Sequence, residues 1–198
     1  YLVQFVVLPS KVGMERFDMS IYHEETKIKD TQLLREIQKD LPACTKEFFR
    51  GISQTTSAKT RLGYAYDLRI FFRYLYEEHS ILGGKDTLHL TTEDLNQITS
   101  DDIDCFMEYL SYYIRSDHEH PEHQAELHNE EKGKARKLAA IRAMFKYFYK
   151  KGKIAANPAT IVDSPKIHTK QIIRLDVNEM ADLLDAVESG AKLKKRKK

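Results

Sequence analysis

The chain has 198 residues, 41% of them apolar and 10% aromatic, with a formal net charge of +2. That is enough for one sizeable core, or one domain plus part of another. No run of 18 apolar residues is present to cross a membrane, and Cys44 and Cys105 lie too far apart for a metal-ligand spacing, so two reduced thiols in a cytoplasmic protein are expected.

Residues 1–30 have no sustained period and read as an N-terminal arm, a short strand or disordered. The opening YLVQFVVL is apolar, too short to span a membrane, and follows no basic segment of a secretory signal. No initiator Met stands at position 1, so the chain is expected to begin inside a reading frame or to carry extra upstream residues. A helix is expected over 31–51, with Leu33, Leu34, Ile37, Leu41, Phe48 and Phe49 apolar. Pro42 should kink or split it, because proline removes a backbone donor and crowds the preceding turn.

Thr56 or Ser57 then caps a long helix reaching about His79. Tyr64, Leu68, Phe71, Phe72 and Leu75 recur at steps of three and four, the spacing of one buried face. Residues 85–98 read as a loop with at most a short helical turn. Ser100 is the expected cap of the next helix, whose buried face would be Ile103, Phe106, Met107, Leu110 and Ile114.

Residues 116–131 contain no Lys or Arg and read as a solvated acidic insertion. His118, His120, His123 and His128 make a metal site conceivable there, but their spacings match no established finger, and no metal or other cofactor is expected. A basic helix follows over 132–153, with Leu138, Ile141, Met144, Phe145 and Phe148 as its core stripe. Asn157-Pro158 and Ser164-Pro165 punctuate a linker, and 177–189 reads as a last helix before the cationic tail KLKKRKK. That tail is a nuclear signal, a tethering arm or the cut end of a helix. The expected fold class is all-α, a bundle of four main helices with short connections.

Charge is sorted along the chain. Residues 77–131 hold fifteen acids against Lys85 and Arg115, and residues 132–153 hold nine cations and no acid. Nine cations on one helix repel one another by ~0.2–0.5 kcal/mol per close pair, and such a face suits a polyanion, most commonly nucleic acid. The helix opening Thr56-Ser57-Ala58-Lys59-Thr60-Arg61 adds hydroxyls, cations and backbone N–H groups of the kind that grip phosphate. No Gly-rich phosphate loop, HExxH, GxSxG or Cys-x-x-Cys motif occurs.

Three stretches together resemble the amino-terminal half of the tyrosine recombinases, the phage-integrase and Xer-type family. TSAKTRLGYAYDLRIFFRYLY is similar to the family's Thr-x-x-x-Tyr-x-x-Asp-Leu-x-x-Phe pattern through Thr60, Tyr64, Asp67, Leu68 and Phe71. KARKLAAIRAMFKYFYKKGKIAANPA resembles its helix of small and basic residues with an aromatic run, Gly and Asn-Pro. Ser164-Pro165-Lys166 with LDVNEMADLLDAV resembles the start of its catalytic domain.

The resemblance covers about residues 31–190. It implies a SAM-like core-binding domain of four to five helices over 31–163, then a linker and the first helix of a truncated catalytic domain over 164–198. Such a domain forms half of a C-shaped clamp on duplex DNA. Two helices reach neighbouring major grooves, and the whole protein assembles as a homo-tetramer on paired sites. The family's catalytic Arg, Lys and His set and its tyrosine nucleophile have no matching positions here, so this chain alone is expected to bind and not to cut. The expected DNA contacts are Lys59, Thr60, Arg61, Lys134, Arg136 and Lys137, with no membrane and no small-molecule substrate. A standalone helical DNA-binding regulator and a helical protein-interaction module are the other classes compatible with the residues.

Overall fold

The computed structural model describes residues 11–80, 82–116, 124–168, 174 and 176–188. Six α-helices and one two-stranded hairpin are found among them, so the fold is an all-α bundle. The chain divides into two compact units, Tyr1–Lys166 and Ile167–Lys198.

The first unit opens with α1, Lys11–Ile37. This corrects the expected arm over 1–30: residues 11–30 are helical, and residues 1–10 lie outside the described ones. The physical reason is that no buried apolar stripe runs along residues 22–33. From Tyr22 to Leu33 the side chains are exposed or half-buried, and Leu34 and Ile37 after them are buried. Good helix formers such as Glu, Lys, Gln and Leu carry it instead. A 3-10 turn over Gln38–Asp40 follows, and Pro42 then stands immediately before α2, Ala43–Gly51, splitting the expected helix.

The long helix α3 spans Ala58–Glu78. Ser57 caps it, its Oγ accepting from the Thr60 backbone N–H at 3.2 Å. Its end is tied to the next helix through buried His79. The ring Nδ1 accepts from the Leu82 N–H at 3.0 Å, and Nε2 lies 3.3 Å from Asp102 Oδ2. Between them the expected loop holds two 3-10 turns, Thr87–His89 and Asp94–Gln97. Helix α4, Ser100–Tyr109, is capped by Thr99 and not by Ser100. Thr99 and Asp102 form a capping box, in which each side chain takes the other's backbone N–H.

Two further corrections concern the segment after α4. Ile114 is not on the helix; it sits exposed in strand β1, Tyr113–Ser116. That strand pairs antiparallel with β2, Gln124–Leu127, from Tyr113 opposite Leu127 to Ser116 opposite Gln124. Four-residue strands are too short to leave a readable alternation. The insertion is also less detached than its composition implies. Leu127 packs half-buried on the core, and the Asn129 side chain and N–H both reach the Leu110 carbonyl. His118, His120 and His123 lie outside the described residues, and His128 is exposed. Among the described residues no group of three His, Cys, Asp or Glu is placed to hold a metal ion.

Helix α5, Glu131–Lys150, runs through the middle of the core and packs on α2 and α3. Leu138, Ile141, Met144, Phe145 and Phe148 are all fully buried. Its Tyr147 ring lies over Gly51 so closely that a Cβ there would clash with Tyr147 Cε2. Gly152 adopts φ +65° and turns the chain out of the helix. A 3-10 turn, Pro158–Thr160, then folds back, with Ala159 and Val162 buried.

In the second unit, α6 spans Val177–Glu188 and starts on a reciprocal cap. The Glu179 N–H donates to Asp176 Oδ1 at 2.8 Å, and the Asp176 N–H to Glu179 Oε2 at 3.1 Å. Val177, Met180, Leu184 and Val187 are exposed on it. The cationic tail lies outside the described residues.

Candidate nucleic-acid interface

The first turn of α3 presents Lys59 and Thr60 to solvent. The Thr60 hydroxyl is 2.9 Å from that of Ser57, so it belongs to the cap as well as to the surface. Arg61 is half-buried, and its Nε is enclosed with no hydrogen-bond partner among the described residues.

The basic stripe of α5 divides into two sets. Lys132, Lys146 and Lys150 are exposed, as are Lys151 and Lys153 just past the end of the helix. Lys137 and Arg142 turn inward. Lys137 is only 4% exposed; its ammonium donates to Asn129 Oδ1 at 2.7 Å and stands 4.0 Å from Asp67 Oδ1. Burial lowers its pKa, against the pull of Asp67. The expectation of Lys137 as a solvent-facing cation is therefore corrected, because it has partners inside the fold. Arg142 donates from Nε to the Ala159 carbonyl at 3.1 Å, from Nη1 to Ser164 Oγ at 2.7 Å, and from Nη2 to the Val162 carbonyl. The small residues of α5 divide likewise: Ala140 is buried and Ala143 packs against the core, while Gly133, Ala135 and Ala139 remain at least partly open.

Lys134 and Arg136 lie between these sets. Lys134 is half-buried and donates to Ser111 Oγ at 2.6 Å. The Arg136 side chain is 57% exposed, and its Nη2 sits 2.8 Å from Asp67 Oδ1. Its Nη1 is 3.7 Å from where a Cβ on Gly63 would be, so the guanidinium lies against α3. The structure thus brings Arg136 and Lys137 onto the helix that carries Lys59, Thr60 and Arg61.

Asp67 is the residue that sequence reasoning did not single out for this role. It is 1% exposed on α3, and neither carboxylate oxygen has a well-formed hydrogen bond. Its contacts with α5 are ion pairs. A signal was available: Asp67 shares the apolar stripe with Phe71 and Leu75, four and eight residues on. A carboxylate in such a stripe needs a cation, and residues 132–153 supply nine cations and no acid.

Burial pushes the Asp67 carboxyl up to about 6, with Arg136 and Lys137 pulling the other way. The folded state therefore holds this proton more tightly than the unfolded chain. Asp67 favours folding most below the ordinary Asp range, and that contribution is lost as pH rises through about 6. The difference is about 3 kcal/mol. Urea unfolding of the wild type and Asp67→Asn between ~pH 4 and ~pH 7 reads it directly. The wild type is expected to lose stability relative to the variant across that range. Parallel profiles would count against a raised carboxyl at Asp67.

An all-α bundle with cations gathered on two packed helices defines the class. Over 157 residues the chain is 29% identical to tyrosine recombinase XerC of Caldanaerobacter subterraneus subsp. tengcongensis, a match covering 76% of this chain and 42% of the relative. The chain is thus related to the tyrosine recombinase family. The match spans less than half of that relative's length. No protein-family model matches the chain, and no solved structure does. Among the described residues no helix is long and apolar enough to cross a membrane.

Proposed function

We propose that this chain is the core-binding, DNA-gripping portion of a site-specific tyrosine recombinase, a SAM-like bundle that seats duplex DNA at a recombination site. In this reading the first turn of α3 and the start of α5 lie along the phosphate backbone. Lys59, Arg61, Lys134 and Arg136 are the charged contacts, and the Thr60 hydroxyl adds a neutral one. Lys137 supports the surface from behind. Strand exchange belongs to a catalytic domain of the whole protein, which works as a tetramer on paired sites. The observation that carries the reading is the gathering of cations on two packed helices in a chain related to XerC.

The test is fluorescence anisotropy on random duplex DNA over a salt series. Each neutralised phosphate contributes about −0.9 to the slope of log K against log salt, so four cations give a slope of about −3.5. Affinity should fall roughly 100-fold between ~50 and ~200 mM salt on that slope. Lys59→Ala with Lys134→Ala should flatten it by about two units. No binding at low salt, or a slope near zero, would remove the DNA assignment and leave a protein-interaction module.

A further inference from the structure

We propose that Asp67 is a positioning residue for duplex binding: from the buried seam between α3 and α5 it holds the Arg136 guanidinium in one pose against α3, at the surface that meets phosphate. This rests on the DNA-binding reading given above.

The geometry separates this role from ordinary core packing. Asp67 is fully enclosed, yet no backbone N–H or hydroxyl satisfies its carboxylate. A buried carboxylate with no such donors is costly to keep, and an apolar residue would pack there at less cost. The charged groups that face it are Arg136 and Lys137, both from α5. Lys137 has its own acceptor in Asn129, 2.7 Å away, and its ammonium is 4.0 Å from Asp67. Arg136 is different. Its Nη2 is 2.8 Å from Asp67 Oδ1, while more than half of its side chain stays exposed. One edge of the guanidinium is thus engaged inside, and other donors are left for an outside acceptor. Arginine suits this arrangement because its donors form a rigid fork. A long side chain already held in one rotamer loses less freedom when it meets a phosphate. A free Arg136 would add charge but not orientation.

Protonation supplies an internal test. Asp67 titrates near 6, so acid should release Arg136 from its pose without any substitution. Lowering pH usually strengthens DNA binding by charging histidines, so the informative quantity is a ratio of variants measured at each pH.

The experiment measures duplex affinity by anisotropy, at fixed salt, for wild type, Asp67→Asn, Arg136→Ala and the double variant, from about pH 8 to about pH 5, with thermal melting of each. At the alkaline end Asp67→Asn is expected to bind about tenfold more weakly than wild type, the worth of one ordered charged contact. That ratio should shrink toward one as pH falls through about 6. In the Arg136→Ala background the same change should cost nothing further, because a positioning residue has nothing left to position. Arg136→Ala alone changes an exposed side chain and carries the same test if Asp67→Asn fails to fold: its own deficit should narrow at low pH. Equal or tighter binding by Asp67→Asn, a deficit independent of pH, or an undiminished loss in the Arg136→Ala background would each overturn the proposal while leaving DNA binding intact. Failure of the wild type to bind duplex at any pH would overturn the DNA reading itself.

Discussion

Phe145→Ala should cost about 3–5 kcal/mol of folding stability, the range for truncating a buried aromatic. The ring is fully buried on α5, within the one apolar cluster that also contains Leu68 and Phe71 of α3 and Phe48 of α2. Truncation leaves a void that three helices would have to close at once, and close-packed interiors relax only partly. A domain of this size has about 5–15 kcal/mol to lose, so a large share of its stability hangs on this residue. Four residues on, Tyr149 has its ring exposed. Tyr149→Ala should stay within about 0.5 kcal/mol, as surface changes do. Urea unfolding of both variants reads the contrast, with the denaturant slope serving as a check that unfolding stays two-state. A loss under about 1 kcal/mol at Phe145 would mean that α5 does not form the centre of the core.

That stripe could be read from sequence because it recurs every three or four residues from Leu138 to Phe148, about three turns. The same holds for α3, where Leu68, Phe71, Phe72 and Leu75 are buried as their spacing demands. Alpha1 could not be read this way. Its side chains from Tyr22 to Leu33 find no core, so no period marks it, and propensity alone is a weak signal. The hairpin escaped for a related reason: each strand has four residues, and Ile114, Ala125 and Glu126 are all exposed. The cap of α4 was misplaced by one residue because Thr99 and Ser100 are both competent; Asp102 decides by reaching back to the Thr99 N–H at 2.7 Å.

The candidate interface was legible as a charge pattern and illegible as a set of contacts. Local sequence shows nine cations and no acid over residues 132–153. It does not show which of them meet acceptors brought from elsewhere in the chain. Asn129 reaches Lys137 from the turn before α5, and Asp67 reaches Arg136 from a helix some 70 residues earlier in the chain. Such partners are set by how the helices pack, and packing is not periodic.

Arg142 is where that difference carries its largest measurable effect, and Arg142→Met should cost about 2–4 kcal/mol. Three donors of this guanidinium go to the Ala159 carbonyl, the Val162 carbonyl and the Ser164 hydroxyl. They hold the segment after the Pro158–Thr160 turn against α5, where Ala159 and Val162 are themselves buried. Each hydrogen bond to a charged donor is worth about 1.5–3 kcal/mol, and a carbonyl left buried without a partner adds its own desolvation cost. Methionine keeps much of the stem's packing, so the loss reports the hydrogen bonds and not a cavity. Lys146, one turn further along α5 and exposed, serves as the control: Lys146→Met should change stability by no more than about 0.5 kcal/mol. The two variants remove the same charge from the same helix, so a purely electrostatic view of the stripe expects them to behave alike. In the DNA assay Arg142→Met should leave the salt slope unchanged, provided the protein is folded at the assay temperature, because its donors are already taken. If Arg142→Met instead keeps full stability and flattens the slope by about one unit, Arg142 is a phosphate contact, and the inward turn of its guanidinium is not the state that meets DNA.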